Sequence, residues 1–291
     1  MKLKNRILSW STLILLAIAA ICYGAASDYK VTNDGTVHSY DLITKSPWVD
    51  VRAFMDGQSG RPTYATWYEN QTTTNVTAVI QAAIDSLVST GGTIKIPIGK
   101  FLITSTIIMG ASYPRSISIT GSGKSTEQYN PTTLKWGGNN STPMFDLQGL
   151  RDSVFSNFGI WATNATPLLT AIKSTTTAAR VITNNRFENI DINGNSTGTR
   201  GITNGFVFAP GALGDANNDA MVFDNVRIRG CLNSAFSFQH SQSRIHKLYA
   251  VDIVDCDYGL RLDEGAGTQG GSFRWYGGSM AQIYENCFEI G

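Results

Sequence analysis

Between residues 76 and 88 the apolar side chains Val76, Val79, Ile80, Ala83, Ile84, Leu87 and Val88 recur at i, i+3 and i+4, the stripe of an amphipathic helix. Asn75 stands where an N-cap belongs and Gly91-Gly92 where a helix stops. The period then changes. In TIKIPIGKFLI, Ile94, Ile96 and Ile98 alternate with Thr93, Lys95 and Pro97, the two-residue period of a strand. Short alternating runs follow, separated by turns rich in Gly, Asn and Ser, and no second helical stripe stands out.

These runs repeat. NIDI at 189, NVRI at 225, AVDI at 250 and the less regular RWYG at 274 form one series, with NFGI at 157 as an earlier member. GFVF at 205, AFSF at 235, GLRL at 259 and CFEI at 287 interleave as a second. Two series sharing a period of about 25 residues describe a β-solenoid, whose coils bury their apolar faces only by stacking. The helix at 76–88 is suited to plug the N-terminal end of such a stack, where unpaired strands would otherwise aggregate. The sequence stops at CFEIG in mid-coil, so the far end is expected to be truncated or covered by another chain.

Alternation assigns the faces. With Ile190/Ile192, Val226/Ile228 and Val251/Ile253 inward, Gly159, Asp191, Arg227, Asp252 and Tyr276 form one outward column. In the second series Phe206/Phe208, Phe236/Phe238, Leu260/Leu262 and Phe288/Ile290 point inward, leaving Val207, Ser237, Arg261 and Glu289 outward. Column neighbours stand about 4.8 Å apart. A polysaccharide can lie along such a face.

Two acidic groups invite chemistry. VDCDYGLRLDEG places Asp255, Asp257, Asp263 and Glu264 around Arg261, and Asp257, Arg261 and Asp263 are the first candidates for catalysis. Asp191, Arg227 and Asp252 are the second: carboxylates two coils apart stand roughly 9.6 Å from each other, near the upper end for an inverting glycosidase. The plainer alternative for both is salt-bridged surface, worth little in stability. Glu289 and Tyr276 are candidate substrate contacts, and Trp136 and Trp161 could stack on sugars if exposed. A lyase would need Ca²⁺ on the uronate carboxylate and a base at C5. Arg261 as that base must lose a proton against a very high pKa.

Other motifs read as structure. GSGKST at 121–126 ends like a phosphate-binding loop, but Ser118 replaces the first glycine and Pro131 follows without a helical stripe, so a turn between strands is the better reading. Asp215, Asn217 and Asp219 have Ca²⁺-loop spacing, with Ala220 and Val226 where an EF-hand takes Gly and Glu. His240 and His246 have no motif partner and read as surface or cap residues, while Cys231 and Cys256 read as stacked buried thiols.

Lys2, Lys4 and Arg6 precede the apolar run LILLAIAAIC, with Gly24 and Ala26 placed for cleavage after Ala26. Residues 1–26 are therefore expected to be a signal peptide, followed by an N-terminal segment at 27–48 and one domain at 49–291. Of 23 Lys+Arg and 22 Asp+Glu, cleavage removes three basic residues, leaving 20 against 22 and a net charge of −2. No basic stripe interleaved with aromatics occurs, which argues against nucleic acid, and no stable membrane insertion is expected after cleavage. Cys231, Cys256 and Cys287 are an odd number, which excludes a complete disulfide framework.

VDVRAFMDG, then VTAVIQAAIDSLVSTGGTIKIPIGKFLITSTIIM, then SISITGSG and TTLKW resemble the N-terminal signature of the pectate-lyase-like superfamily. Its members include polygalacturonases, rhamnogalacturonases, exo-β-1,3-glucanases, pectate lyases and tailspike depolymerases. The resemblance implies an all-β fold, a single-stranded right-handed parallel β-helix with an N-terminal amphipathic capping helix. The GDGxTDDT-like segment common in such proteins is replaced here by DGQSGRPTYATWYENQTTTN. Where polygalacturonases carry NTD, DD, GHG and RIK, the matching segments read ITNGFVF, CLNSAFSF and CDYGLRL, so only Asp257 keeps a carboxylate. The expectation is a secreted, polysaccharide-degrading enzyme, hydrolase ahead of lyase, with Ca²⁺ only in the lyase case. The alternative is a non-catalytic carbohydrate-binding or adhesive surface solenoid; a trimeric tailspike is disfavoured because it needs no signal peptide.

Overall fold

A computed structural model describes residues 30–31, 37–38, 48–110, 116–124, 131–176, 181–196, 199–210, 218–239, 245–262 and 273–290. The expected signal peptide lies outside these. Among the described residues, fourteen strands form one continuous sheet system. In chain order they are β1 (Trp48–Asp50), β2 (Gly92–Lys95), β3 (Gly99–Ile103), β4 (Ile107–Met109), β5 (Ile117–Thr120), β6 (Thr132–Trp136) and β7 (Pro143–Gln148). There follow β8 (Val154–Trp161), β9 (Leu168–Thr175), β10 (Arg186–Asn193), β11 (Ile202–Ala209), β12 (Val222–Phe238), β13 (His246–Leu262) and β14 (Phe273–Ile290).

All pairings among these strands are parallel, and they run in three tracks, which makes the fold a parallel β-helix. The first track joins β1, β2, β5 and the leading residues of β8, β10, β12, β13 and β14. The second joins β3 and β6 to the middle of the same long strands. The third joins β4, β7, β9 and β11 to the ends of β12, β13 and β14.

Between first and second tracks the chain turns at Asn157, Asn189, Asn225, Ala250 and Gly277, all with positive φ. Asparagine tolerates this left-handed conformation better than most residues. Its amide also pairs with the next coil: Asn189 Nδ2 donates to Asn157 Oδ1 at 2.7 Å and Asn225 Nδ2 to Asn189 Oδ1 at 3.1 Å.

Inside, identical side chains stack at close to the strand spacing. Phe155, Phe187 and Phe223 lie 5.2 Å apart centroid to centroid, Phe206 and Phe236 also 5.2 Å, and Phe208 and Phe238 4.8 Å. His246 continues this aromatic column and is buried, not a surface or cap residue as the sequence suggested. Trp136, too, is fully buried, which removes it as a sugar contact. Cys231 and Cys256 are register partners and buried.

Two helices, α1 (Tyr64–Glu69) and α2 (Thr77–Ser86), lie near the first coil. Helix α2 is shorter than the sequence stripe and buries Thr77, Val79, Ile80, Ala83 and Ile84. Asn75 Oδ1 accepts from the Thr77 N–H at 3.0 Å, although the cap position itself is Val76. Gln81 acts as a substitute strand: its Oε1 accepts from Ile108 N at 3.0 Å and its Nε2 donates to Ile108 O at 3.1 Å, on β4. At the other end Trp275, Met280 and Ile283 of β14 are only partly buried, and Phe288 is 62% exposed.

Candidate functional site

The corner between second and third tracks turns at Gly230, Asp255 and Gln282, again with positive φ. Cys256, just after it, is buried, so its neighbours Asp255 and Asp257 flank a core residue and reach the outer surface partly exposed. The chain brings each carboxylate a separate partner. Arg200 arrives on a two-stranded antiparallel hairpin, Asn195–Ser196 with Thr199–Arg200, inserted between β10 and β11. Glycines at its feet permit the approach: a Cβ at Gly194 would stand 2.3 Å from the Gly230 carbonyl oxygen, and one at Gly201 2.4 Å from the Thr163 carbonyl carbon. Arg200 Nη1 then donates to Asp257 Oδ1 at 2.5 Å and to the Cys231 carbonyl at 3.0 Å.

Tyr284, on β14, completes the corner. Its ring centre is 5.0 Å from the Arg200 guanidinium. Its pKa is raised, first by the hydrogen bond to the Asp255 carboxylate and then by that group's charge. Burial pulls the Arg200 pKa down, but the hydrogen bond and charge of Asp257 outweigh it, and the net shift is upward. Both groups therefore hold their protons.

Arg261 lies further along β13, on the third track. It faces Glu289 at 3.0 Å, donates to Asn233 Oδ1 at 3.4 Å, and its guanidinium carbon is 5.5 Å from the centre of the Tyr258 ring. The register Val207, Ser237, Arg261, Glu289 is the one the sequence pattern implies. Asp257 and Arg261 thus share a strand and bind different partners, Arg200 and Glu289; Asp263 and Glu264 lie outside the described residues. Arg200 and Tyr284 were missed by sequence reasoning. The only local signal was the glycine-bounded segment GNSTGTRG.

On the second track Gly159, Asp191, Arg227 and Asp252 are in one row, which continues to Ser279. Tyr276 does not belong to it. Gly277 takes the left-handed corner, so Val251 pairs with Gly278, while Tyr276 sits one track earlier, stacked on Tyr249 at 4.8 Å. Asp191 is fully buried and accepts from Arg227 Nε at 3.1 Å and Nη2 at 2.6 Å, with Arg229 Nη2 3.6 Å away. Asp252 accepts from the Ser279 hydroxyl at 2.8 Å.

The GSGK turn packs on the asparagine corner: Gly123 N donates to the Asn157 carbonyl, and Lys124 Nζ to the carbonyl and side-chain oxygens of Asn225. Asp219 accepts from the Thr183 hydroxyl at 2.6 Å, while Asp215, Asn217 and His240 lie outside the described residues. Among the described residues no group of three or more His, Cys, Asp or Glu is placed to hold a metal ion, and no helix is long and apolar enough to cross a membrane.

Three parallel tracks, an asparagine corner and an outer corner where carboxylates meet Arg200 and Tyr284 define a parallel β-solenoid with a charged outer edge. The chain belongs to the family described as rhamnogalacturonase A/epimerase, pectate lyase-like, whose family model matches residues 68–272. It is thereby a carbohydrate-related protein. A search of curated proteins returned no match. A solved structure from Geobacillus virus E2, ORF18, is similar over 89% of this chain and 66% of its own, at 16% identity and a TM-score of 0.29. The chain thus spans just under two thirds of that protein's length.

Proposed function

We propose that the protein is a polysaccharide hydrolase whose reaction runs at the corner of Asp255, Asp257, Arg200 and Tyr284. The observation that carries this reading is a pair of partly exposed carboxylates on one strand, each held by a different partner. Residues two apart on a strand present their side chains to the same face, and an inverting glycosidase needs two carboxyls facing one substrate across roughly 6.5–9.5 Å. Asp257, oriented by Arg200, takes the proton of the attacking water. Asp255, which accepts the Tyr284 hydrogen bond while ionised, must take up a proton before it can act as the general acid at the glycosidic oxygen. Arg261, Glu289 and Tyr258 line the neighbouring coil surface where the sugar chain continues.

Hydrolysis is favoured over elimination by the protonation of the two groups that face the carboxylates, Arg200 and Tyr284. A lyase base must be deprotonated to take the C5 proton, whereas Arg200 and Tyr284 both hold their protons more tightly than usual. Export to the cell surface or medium is part of the same reading and rests on the N-terminal sequence alone. The test is a screen of neutral and uronate polysaccharides with two readouts. New reducing ends without ultraviolet absorbance support hydrolysis; absorbance of an unsaturated uronide would replace it with lyase chemistry; binding without either product would leave a carbohydrate-binding solenoid.

A further inference from the structure

Cys231 and Cys256 occupy the same place in consecutive coils. Each follows directly on the left-handed corner between second and third tracks, at Gly230 and Asp255, and the two are register partners on β12 and β13. Adjacent strands stand about 4.8 Å apart, inside the roughly 4.4–6.8 Å that the Cα atoms of a disulfide usually span. Both side chains are fully buried, and they are free thiols in hydrogen-bond contact with each other. The Cys256 thiol donates to the Val254 carbonyl at 3.5 Å, which leaves its sulfur to accept from Cys231. Their neighbours in the row are Ile202 on one side and Ile283 on the other.

Cys287 is not placed to pair with either. It lies on β14 opposite Gly259, where an added Cβ would meet the Cys287 carbonyl oxygen at 2.5 Å. Gly259 is three positions beyond Cys256, about 10 Å along the strand and past the reach of a disulfide. The buried pair is also guarded in the folded chain. The hydrogen bond to Cys256, and then burial, hold the Cys231 thiol well above its ordinary pKa, whereas only a thiolate attacks a disulfide. Ile283 of β14 closes over Cys256. A bond between the two sulfurs is therefore made while the coils are being laid down, and it is kept once the row has closed.

We propose that Cys231 and Cys256 form an inter-coil disulfide when the chain folds in the presence of a disulfide oxidant such as glutathione disulfide. One cysteine loses its proton, attacks a sulfur of the oxidant and expels one thiolate; the second, deprotonated in turn, attacks the first cysteine's sulfur in the mixed disulfide and expels the other. Two protons and two electrons leave the two thiols, and the oxidant ends as two thiols. The bond closes the coil from 231 to 256 into a covalent ring beneath the outer corner, where the Cys231 carbonyl accepts from Arg200 and Asp255 and Asp257 flank Cys256. It depends on no reaction at that corner. Export, where it occurs, supplies the oxidising surroundings.

The test refolds reduced, urea-unfolded protein either with glutathione disulfide or with a thiol reductant. Each sample is then denatured, alkylated, digested without reduction and read by mass spectrometry. The glutathione-disulfide arm should give a cross-linked peptide pair joining Cys231 to Cys256, with Cys287 outside the bond. Protein that is already folded and reduced should form the same bond at least about tenfold more slowly, because its thiols are buried and protonated. The cross-linked parent should melt at least about 5 °C above the reduced parent, whereas Cys231→Ala with Cys256→Ala should melt alike in both arms. Alkylated Cys231 and Cys256 after oxidative refolding, a bond from Cys287 to either of them, or equal melting of cross-linked and reduced parent would each overturn the proposal. The mass reading uses the parent alone, so it decides the matter even where the double variant fails to fold, and no polysaccharide enters it.

Discussion

His246 gives the fold a pH dependence whose size can be worked out. Its imidazole is enclosed by Phe208, Phe238 and Phe273, with ring centres 5.6, 4.8 and 5.1 Å away. Burial lowers its pKa from 6.5 to about 3. Between those values the unfolded chain binds one proton more than the folded chain, so stability rises with pH there and falls on acidification. The contribution is complete above pH 6.5 and is lost as pH drops toward 3, at up to about 1.4 kcal/mol per pH unit. From pH 8 to pH 5 this amounts to about 2 kcal/mol. Urea unfolding followed by tryptophan fluorescence at pH 8, 7, 6 and 5, on the parent and on His246→Phe, isolates the term, because the phenylalanine takes up no proton. The parent should lose about 2 kcal/mol more than the variant across that range. Parallel losses would refute the reasoning and place His246 where it can be protonated without cost.

Two other substitutions test the stack. Val251→Asp buries an unpaired carboxylate in the second track and should cost several kcal/mol, read as a lower urea midpoint; a variant that melts like the parent would contradict the register. Ile80→Ser with Ile84→Ser removes two fully buried side chains from α2, worth roughly 1.5–3 kcal/mol each, and exposes the β4 edge that Gln81 pairs. Light scattering should then show aggregation, and unchanged solubility would mean that the helix does not protect that edge.

The inward residues of the second and third tracks were legible because alternation and recurrence survive from coil to coil: Ile190, Val226, Phe206, Phe208, Phe236 and Phe238 lie where the pattern put them. The first track was legible at its start, where Ile94 alternates with Thr93 and Lys95, and not in the later coils. Its strand pieces run only a few residues before the asparagine corner, too short for a two-residue period to show. The corner also supplied the right key to register. Aligning Asn157, Asn189, Asn225, Ala250 and Gly277 by their left-handed backbone shifts the last coil, and the shift separates Tyr276 from Asp252. Asp257 was visible as part of a dense acidic segment, but its partner Arg200 is 57 residues away on a hairpin inserted between strands, which no periodicity reports. His246 stayed hidden because a single titratable residue on an aromatic face has no sequence signature beyond its strand.

The proposed role of Asp257 in polysaccharide cleavage is tested most directly by turnover on a polymer that the parent cleaves, comparing Asp257→Asn with Asp252→Asn at matched stability. Asp257→Asn should lose roughly 10²-fold or more, the scale of a removed general acid or base, and Asp252→Asn should change little. Normal turnover by Asp257→Asn, or a loss confined to Asp252→Asn, would contradict it.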